Sequence, residues 1–212
     1  MINIEKSNKK ECCGCGACIS ICPKGAIEMQ VDEFGNEYPV VDKKKCTDCN
    51  LCNKVCAYQN KSVYNIPLMT YASSCKINRL LKKSASGGVF IAIANEFIKN
   101  NGIIYGCSME MEDDIITPKH IRVDDLSNLY KLQGSKYVKS KINCIYKDVR
   151  KDLSEGRKVL FSGTPCQVHA LLSYLEELKV NKDNLYTIDI ICHGTPSTKM
   201  FQDYIKELER RK

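Results

Sequence analysis

The apolar positions of this chain keep two different rhythms, one up to about residue 62 and another beyond it. In the first stretch they are short and interrupted. Only 27–41 alternates apolar with polar residues, around Glu33-Phe34-Gly35-Asn36, which predicts a hairpin. Residues 61–67 read as a linker, after which longer elements take turns. Short apolar runs at 103–107, 158–162 and 185–192 predict strands, and a further strand is expected near 69–75. Helical spacing marks 89–100, 142–153 and 167–178; 124–132 reads as a helix capped by Asp124, and a last helix runs from Ser197 to the chain end. Strands alternating with helices build a layer with a largely parallel sheet. The expected fold class is α+β, a small cysteine-rich domain over 1–62 followed by an α/β domain over 63–212. The last helix stops in Glu209-Arg210-Arg211-Lys212 without a cap, and the final strand has no onward partner. The second domain therefore reads as incomplete.

The first domain owes its broken pattern to cysteine. Cys12, Cys15, Cys18 and Cys22 form one C-x2-C-x2-C-x3-C run, and Cys46, Cys49, Cys52 and Cys56 form another. A cubane iron-sulfur cluster needs four thiolates around one cube, and a loop with a cysteine at every third position curls three of them round it. In two-cluster ferredoxins the last cysteine of each run serves the other cluster. The spacing predicts a two-cluster bacterial ferredoxin-like domain, with Cys12, Cys15, Cys18 and Cys56 on one 4Fe-4S cluster and Cys46, Cys49, Cys52 and Cys22 on the second. Zinc is the competing reading, because paired C-x2-C elements also make four-thiolate sites. A zinc ribbon would use only half of these cysteines, and Pro23 follows Cys22 as in the bacterial ferredoxin pattern. Gly14, Gly16 and Ala17 leave room for backbone N–H groups to approach the sulfurs. The second run carries Thr47, Asp48 and Asn50 instead, and Ala57 in place of Pro, which alters polarity and not ligand count. Cys13 lies off the spacing and reads as a spare thiol.

Composition narrows the class further. A hydrophobic content of 43% over 212 residues supports a sizeable core beside the small domain. Fourteen cysteines in a secreted chain would suggest disulfides, but the opening Met1-Ile2-Asn3-Ile4-Glu5-Lys6 lacks a basic start followed by an apolar run. A cytoplasmic location with cysteines on metal is expected. No apolar stretch approaches a membrane span, so no direct membrane insertion is expected. The net charge is +7, and all but one of those charges fall after residue 62. The plain account is a solvated surface; the other is a docking face for acidic electron carriers or phosphate-bearing ligands. The lysines are scattered and not interleaved with aromatics, which argues against nucleic acid.

Several turns of the second domain carry chemistry. Ser86-Gly87-Gly88 opens a helix whose free backbone N–H groups suit a phosphate, and Gly134-Ser135-Lys136-Tyr137 adds a hydroxyl, an ammonium and a ring. Gly163-Thr164-Pro165-Cys166-Gln167 and Ile191-Cys192-His193-Gly194 end neighbouring strands, the edge at which open α/β sheets bind ligands. Cys166 and Cys192 are therefore expected to meet. Cys75, Cys107 and Cys144 read as small core hydrophobes, and His120 and His169 receive no role.

In order along the chain, Ser86-Gly87-Gly88, Tyr105-Gly106, Gly134-Ser135-Lys136-Tyr137-Val138, the run from Val159 to Gln167 and the run from Asp189 to Ser197 resemble the family of coenzyme F420 hydrogenase/dehydrogenase beta subunits. The version resembled carries an N-terminal two-cluster ferredoxin domain, and the likeness spans essentially the whole chain. It implies that 63–212 is the N-terminal part of that family's FAD domain, an incomplete α/β flavin-binding domain. Ser86, Gly87, Gly88, Gly134, Ser135, Lys136 and Tyr137 would then contact FAD. Cys166 and Cys192 would hold a third 4Fe-4S cluster, completed by a downstream C-x2-C that this sequence does not contain. The implied function is that of an iron-sulfur flavoprotein oxidoreductase. It would pass electrons between clusters, FAD and a hydride carrier or other redox substrate of the deazaflavin kind, and meet a redox partner protein or small-molecule carrier. The alternative is a non-catalytic ferredoxin-type electron-transfer subunit docking onto a partner oxidoreductase.

Overall fold

The computed structural model describes residues 4, 11–60, 66–112 and 115–211. The cysteine-rich half runs α1 (Ala17–Ile21), β1 (Ile27–Val31), β2 (Glu37–Val41) and α2 (Leu51–Lys54). Strands β1 and β2 pair antiparallel from Ile27 opposite Val41 to Val31 opposite Glu37. The Asp32 carboxylate closes their turn by accepting from the backbone N–H of Phe34 at 3.0 Å and of Asn36 at 2.8 Å. This is the hairpin that the alternation over 27–41 predicts. Most of the linker expected at 61–67 lies outside the described residues.

The second half continues with α3 (Asn78–Leu81), α4 (Val89–Lys99), β3 (Ile103–Glu112) and β4 (Ile115–Val123), a 3-10 turn at Leu129–Leu132, then α5 (Ile145–Ser154), β5 (Val159–Gly163), α6 (Pro165–Glu177), β6 (Leu185–Asp189) and α7 (Thr198–Arg210). Its sheet has the order β4-β3-β5-β6, with β3–β5 and β5–β6 parallel and β3–β4 antiparallel. Alternation along the strands explains the layering. Ile103, Tyr105, Val159 and Phe161 point to one face and join α5, α6 and the cysteine-rich half in a single core. Ile104 and Leu160 point to the other face and pack with Ile91, Ala94 and Ile98 of α4. Ala17, Ile21 and Val55 enter the first of these cores, so the small half is docked on the large one by buried apolar surface.

Several expectations are corrected here. Residues 66–74 form no strand; Leu68 is 99% exposed and Tyr71 75%, while the Cys75 N–H is held on the Gly87 carbonyl at 2.7 Å. An apolar run becomes a strand only where a neighbour covers it. The helix expected at 124–132 shrinks to one 3-10 turn, because the Asp125 carboxylate takes the Asn128 backbone N–H at 2.9 Å and organises a local turn instead. The helix expected from 142 starts at Ile145, since Asn143 adopts a left-handed φ of 47°. Strand β6 ends at Asp189, which leaves Cys192 beyond it and exposed. Cys144 is exposed as well and not a core residue; Cys75 is buried and Cys107 half-buried.

Strand β4 has no counterpart in the hydrophobic pattern. Two of its polar side chains, His120 and Arg122, find partners only in three dimensions. The His120 ring reaches the Ser162 carbonyl through Nε2 at 2.9 Å and Ser140 Oγ through Nδ1 at 3.0 Å, and it stacks on Phe161. A carbonyl can only accept, so Nε2 carries the proton and Nδ1 accepts from Ser140. Arg122 Nε meets Asp152 at 2.9 Å, and the buried Tyr105 hydroxyl donates to the same carboxylate at 2.6 Å. These bonds tie β4, β3 and α5 together.

Burial pushes the His120 imidazole down from 6.5 to about 4, against the Ser162 hydrogen bond that favours its charged form. Between those values the unfolded chain binds a proton that the folded chain refuses, so folded stability falls as pH drops from about 6.5 toward 4 and is insensitive to this group above that window. The expected loss is about 1.4 kcal/mol per pH unit, ~3 kcal/mol in all. His120→Gln should be less stable than the parent at pH 7, and the gap should narrow as pH falls to 4.5 in urea unfolding; a constant gap would count against this account.

Candidate metal centre

The two cysteine runs fold as copies of each other. Gly14 and Gly16 take φ of 56° and 77°; Asp48 and Asn50, at the matching places of the second run, take 53° and 63°. Each loop thus turns twice through the left-handed region and then enters a short helix, α1 after Gly16 and α2 after Asn50. Asp and Asn are the non-glycine residues that tolerate this conformation best, which is why the second run keeps the geometry without glycine. The turns aim backbone donors at sulfur: the Gly14 N–H lies 3.4 Å from Cys12 Sγ, the Asp48 N–H 3.4 Å from Cys46 Sγ and the Ala26 N–H 3.3 Å from Cys22 Sγ.

The last cysteine of each run crosses to the other. One cavity is lined by Cys22, Pro23 and Ile27 together with Cys46, Cys49 and Cys52. The electrostatic neighbours of Cys52 are Cys49 and Cys22. On the other side, Cys12 and Cys18 each feel Cys56. Burial is the main reason that Cys18 is pushed up to about 12, with repulsion from Cys12 and Cys56 next; burial likewise raises Cys12 and Cys52. Thiols so placed ionise when a cationic centre takes the thiolates. Among the described residues no three His, Cys, Asp or Glu side chains converge on a single-ion site. Cysteines of both runs line the walls of a cavity, the arrangement that suits a polynuclear centre.

The second half supplies two residues at this centre that sequence reasoning missed. Lys139 lies over the first loop, so close that a Cβ on Gly14 would sit 2.0 Å from its Nζ, and its charge is felt by Cys12 and by Cys166. Tyr146 is wholly buried, and burial keeps its hydroxyl protonated; the hydroxyl contacts the Cys15 carbonyl at 3.0 Å and the Gln167 carbonyl at 3.1 Å, pinning loop to helix. The electrostatic neighbours of Cys13 are Cys15, Cys12 and, from the second half, Cys166. Nothing in the sequence marks the Lys139–Gly14 and Tyr146–Cys15 contacts, because each joins residues more than a hundred positions apart, apart from Lys139 standing two residues past the Gly134–Tyr137 motif.

Cys166 sits at the start of α6, after a capping box in which the Thr164 backbone N–H donates to the Gln167 side chain at 3.1 Å. Its sulfur neighbour is Cys13; among the described residues no hydrogen bond joins it to Cys192, the partner that strand order suggested. The two remaining turns do come together. Gln133 Nε2 donates to the Leu80 carbonyl at 2.7 Å and lies 2.9 Å from Ser84 Oγ, which brings the 84–88 and 133–137 segments side by side. Gly88 takes φ 68° as the N-cap of α4, and a Cβ on Gly87 would meet the Ser73 carbonyl oxygen at 2.6 Å, so both glycines serve close packing. Ser86, Ser135 and Tyr137 are not buried, Tyr137 being 84% exposed, and Gly134 at φ 85° has open space where a side chain would point. Lys136 Nζ is held by the Lys131 and Gln133 carbonyls at 3.0 and 2.9 Å, with one N–H remaining to donate elsewhere.

Residues 11–60 match the 4Fe-4S dicluster domain, and residues 156–211 match the C terminus of the coenzyme F420 hydrogenase/dehydrogenase beta subunit. One subunit of the F(420)H(2) dehydrogenase of Methanosarcina mazei is 22% identical over 191 residues, which cover 85% of this chain and 53% of that protein. A ferredoxin-like protein in the nif region of Rhizobium leguminosarum bv. trifolii is 39% identical over 59 residues, 25% of this chain and 84% of that protein. A chain of the F420-reducing NiFe hydrogenase complex from Methanosarcina barkeri shares the fold at a TM-score of 0.50 and 20% identity, over 65% of this chain and 50% of that one. This chain spans about half the length of the curated relatives that it matches along most of its own sequence.

Lys139 offers a direct check on the geometry. Its positive charge favours an additional electron on whatever the Cys12 loop holds, so Lys139→Met should move the reduction potential of that cluster in the negative direction and leave the cluster beyond Cys46 nearly unmoved. An EPR-monitored redox titration of both clusters measures this; equal shifts, or none, would show that Lys139 is not the local charge.

Proposed function

We propose that this chain, which belongs to the family of coenzyme F420 hydrogenase/dehydrogenase beta subunits and carries a 4Fe-4S dicluster domain at its front, relays electrons between two cubane clusters and a FAD that exchanges hydride with a carrier of the deazaflavin kind or another redox substrate. The observation that carries the proposal is the cavity in which Cys22 joins Cys46, Cys49 and Cys52, the crossed arrangement that two clusters need. In this reading Cys12, Cys15, Cys18 and Cys56 hold one cluster and Cys46, Cys49, Cys52 and Cys22 the other.

Each residue has a task that its surroundings support. The cysteines bind through thiolate, and the backbone N–H groups of Gly14, Asp48 and Ala26 soften the negative charge on sulfur. Ala17, Ile21 and Val55 keep water from the inner side of the clusters. Ser86 and Ser135 offer accessible hydroxyls, Gly134 an uncrowded backbone, Lys136 its remaining N–H and Tyr137 an exposed ring, on two segments that Gln133 joins. Together with the α4 N-terminus at Gly88 these suit a pyrophosphate and a flat ring. A bound flavin supplies the conversion between one-electron and two-electron transfer.

A second reading is favoured by one contact: Lys136 already spends two of its donors on backbone carbonyls. That suits a conduit which docks onto a partner oxidoreductase and performs no substrate chemistry. Iron, sulfide and flavin measured per chain after anaerobic purification separate the readings. The proposal expects about eight irons, a bound flavin, and bleaching of that flavin by reduced deazaflavin or NAD(P)H. Iron without flavin supports the conduit, and a colourless chain holding zinc defeats both.

A further inference from the structure

The two cysteine loops are copies of each other but meet different surroundings. In the first, Cys13 to Gly16 are all partly buried: Lys139 lies over Gly14, a Cβ on Gly16 would be 3.8 Å from Ile142, and the Tyr146 hydroxyl holds the Cys15 carbonyl. The matching residues of the second, Thr47 to Asn50, are all exposed, Cys49 among them. The second loop is therefore the one that a visiting molecule can reach. Lysine surrounds it. Lys24 lines the same cavity as Cys46 and Cys49. Lys43, Lys44 and Lys45 occupy the turn that leads into Cys46, closed by the Cys46 N–H on the Asp42 carbonyl at 3.0 Å and by the Lys44 N–H on the Asp42 carboxylate at 2.9 Å. The Asp42 N–H donates to the Ala26 carbonyl at 2.8 Å, which sets this turn beside the one that carries Lys24. All of these lysines are exposed. Lys45 stands 3.5 Å from Asp42, whereas Lys24, Lys43 and Lys44 form no ion pair among the described residues. Lys54 of α2 is already spent on Glu177 of α6 at 2.9 Å. Since these lysines outnumber Asp42 and Asp48, the rim of the second loop is positive, in a half whose remaining charges nearly cancel.

We infer that this lysine rim is the docking site for an acidic one-electron redox protein, whose carboxylates meet Lys24, Lys43 and Lys44 and bring its own redox centre up to the second cysteine loop. The inference rests on the electron-transfer reading given above and adds an orientation to it: exchange with an outside protein passes the exposed second loop, while the covered first loop faces the other half of the chain. Each encounter moves one electron and neither forms nor breaks a bond; the cluster is reduced as the visitor is oxidised, or the reverse. An exposed ammonium group with no local carboxylate is available to one on a visitor. Opposite charges steer such encounters and raise association rates by about 10- to 1,000-fold where salt does not screen them.

The test uses the whole chain, purified without oxygen and carrying its iron, with an acidic 2Fe-2S ferredoxin as the probe. Stopped-flow absorbance follows electron transfer from the reduced probe at low ionic strength and again at about 0.5 M NaCl, where charges act over only a few ångströms. Calorimetric titration with the oxidised probe measures binding separately. The triple variant Lys24→Gln, Lys43→Gln, Lys44→Gln should lower association rate and affinity about tenfold at low salt and change them little at high salt. The corresponding Lys→Glu triple should lower both further, and should speed oxidation of the reduced chain by cytochrome c, a basic protein. Lys147→Glu with Lys151→Glu, on the exposed face of α5, should stay near the parent. An equal loss in the α5 variant overturns the inference, as does unchanged binding in the Gln triple. A shift in cluster potential with binding unchanged would make these lysines counter-charges for the cluster and overturn it equally. If the Glu triple loses iron, the Gln triple decides. A parent whose clusters are present and reduced by dithionite, yet which does not bind the probe at low salt, overturns the inference and leaves the electron-transfer reading standing; a parent without iron overturns that reading first and this inference with it.

Discussion

Cys22 and Cys56 each have to leave the loop that carries their run and reach the sulfurs of the other, and the rest of the first half is built to deliver them there. A cube takes ligands from all round, so a loop that has already curled three thiolates about it has no room for its own fourth. One helical turn, α1 or α2, carries the chain from the third cysteine to the fourth. Before it the backbone must bend sharply twice, at Gly14 and Gly16 in one copy and at Asp48 and Asn50 in the other. The β1–β2 hairpin then spans the distance between the two loops.

A unit so constrained is stiff, and stiffness makes its docking consequential. Ala17, Ile21 and Val55 share a core with Tyr146 and Leu171, so the cluster loops stand at a defined place on α5 and α6. The parallel strands β3, β5 and β6 end on the side where Cys166 starts α6, and Cys166 faces Cys13 across the seam. Electron transfer depends on distance and on what lies between. The separation of the two halves is set by this apolar packing.

Different parts of this arrangement were legible to different degrees. Helices α4, α6 and α7 could be read because their caps are local: a glycine, a Thr-Pro pair, and Ser197 accepting the Met200 N–H at 3.2 Å. Strand β4 could not, since His120 and Arg122 look like surface residues until Ser140, Ser162 and Asp152 supply their partners. The expected strand at 69–75 failed for the converse reason: its apolar residues have no covering neighbour. Of the candidate site, the eight spaced cysteines and the Ser-Gly-Gly and Gly-Ser-Lys-Tyr turns stand out in the sequence, whereas Lys139 and Tyr146 are silent there.

Ligand number, ligand spacing and the succession of strands and helices are properties of neighbours along the chain, and the order of residues is enough to read them: two crossed cysteine runs, a hairpin between them, and an α/β layer behind. Which side chains from the second half look onto the first is settled in the folded molecule alone. Lys139 over Gly14 and the Tyr146 bridge depend on burying Ala17, Ile21 and Val55 against α5 and α6. Hydrophobic burial is non-directional and names no partner in advance; the partner is chosen when whole surfaces fit.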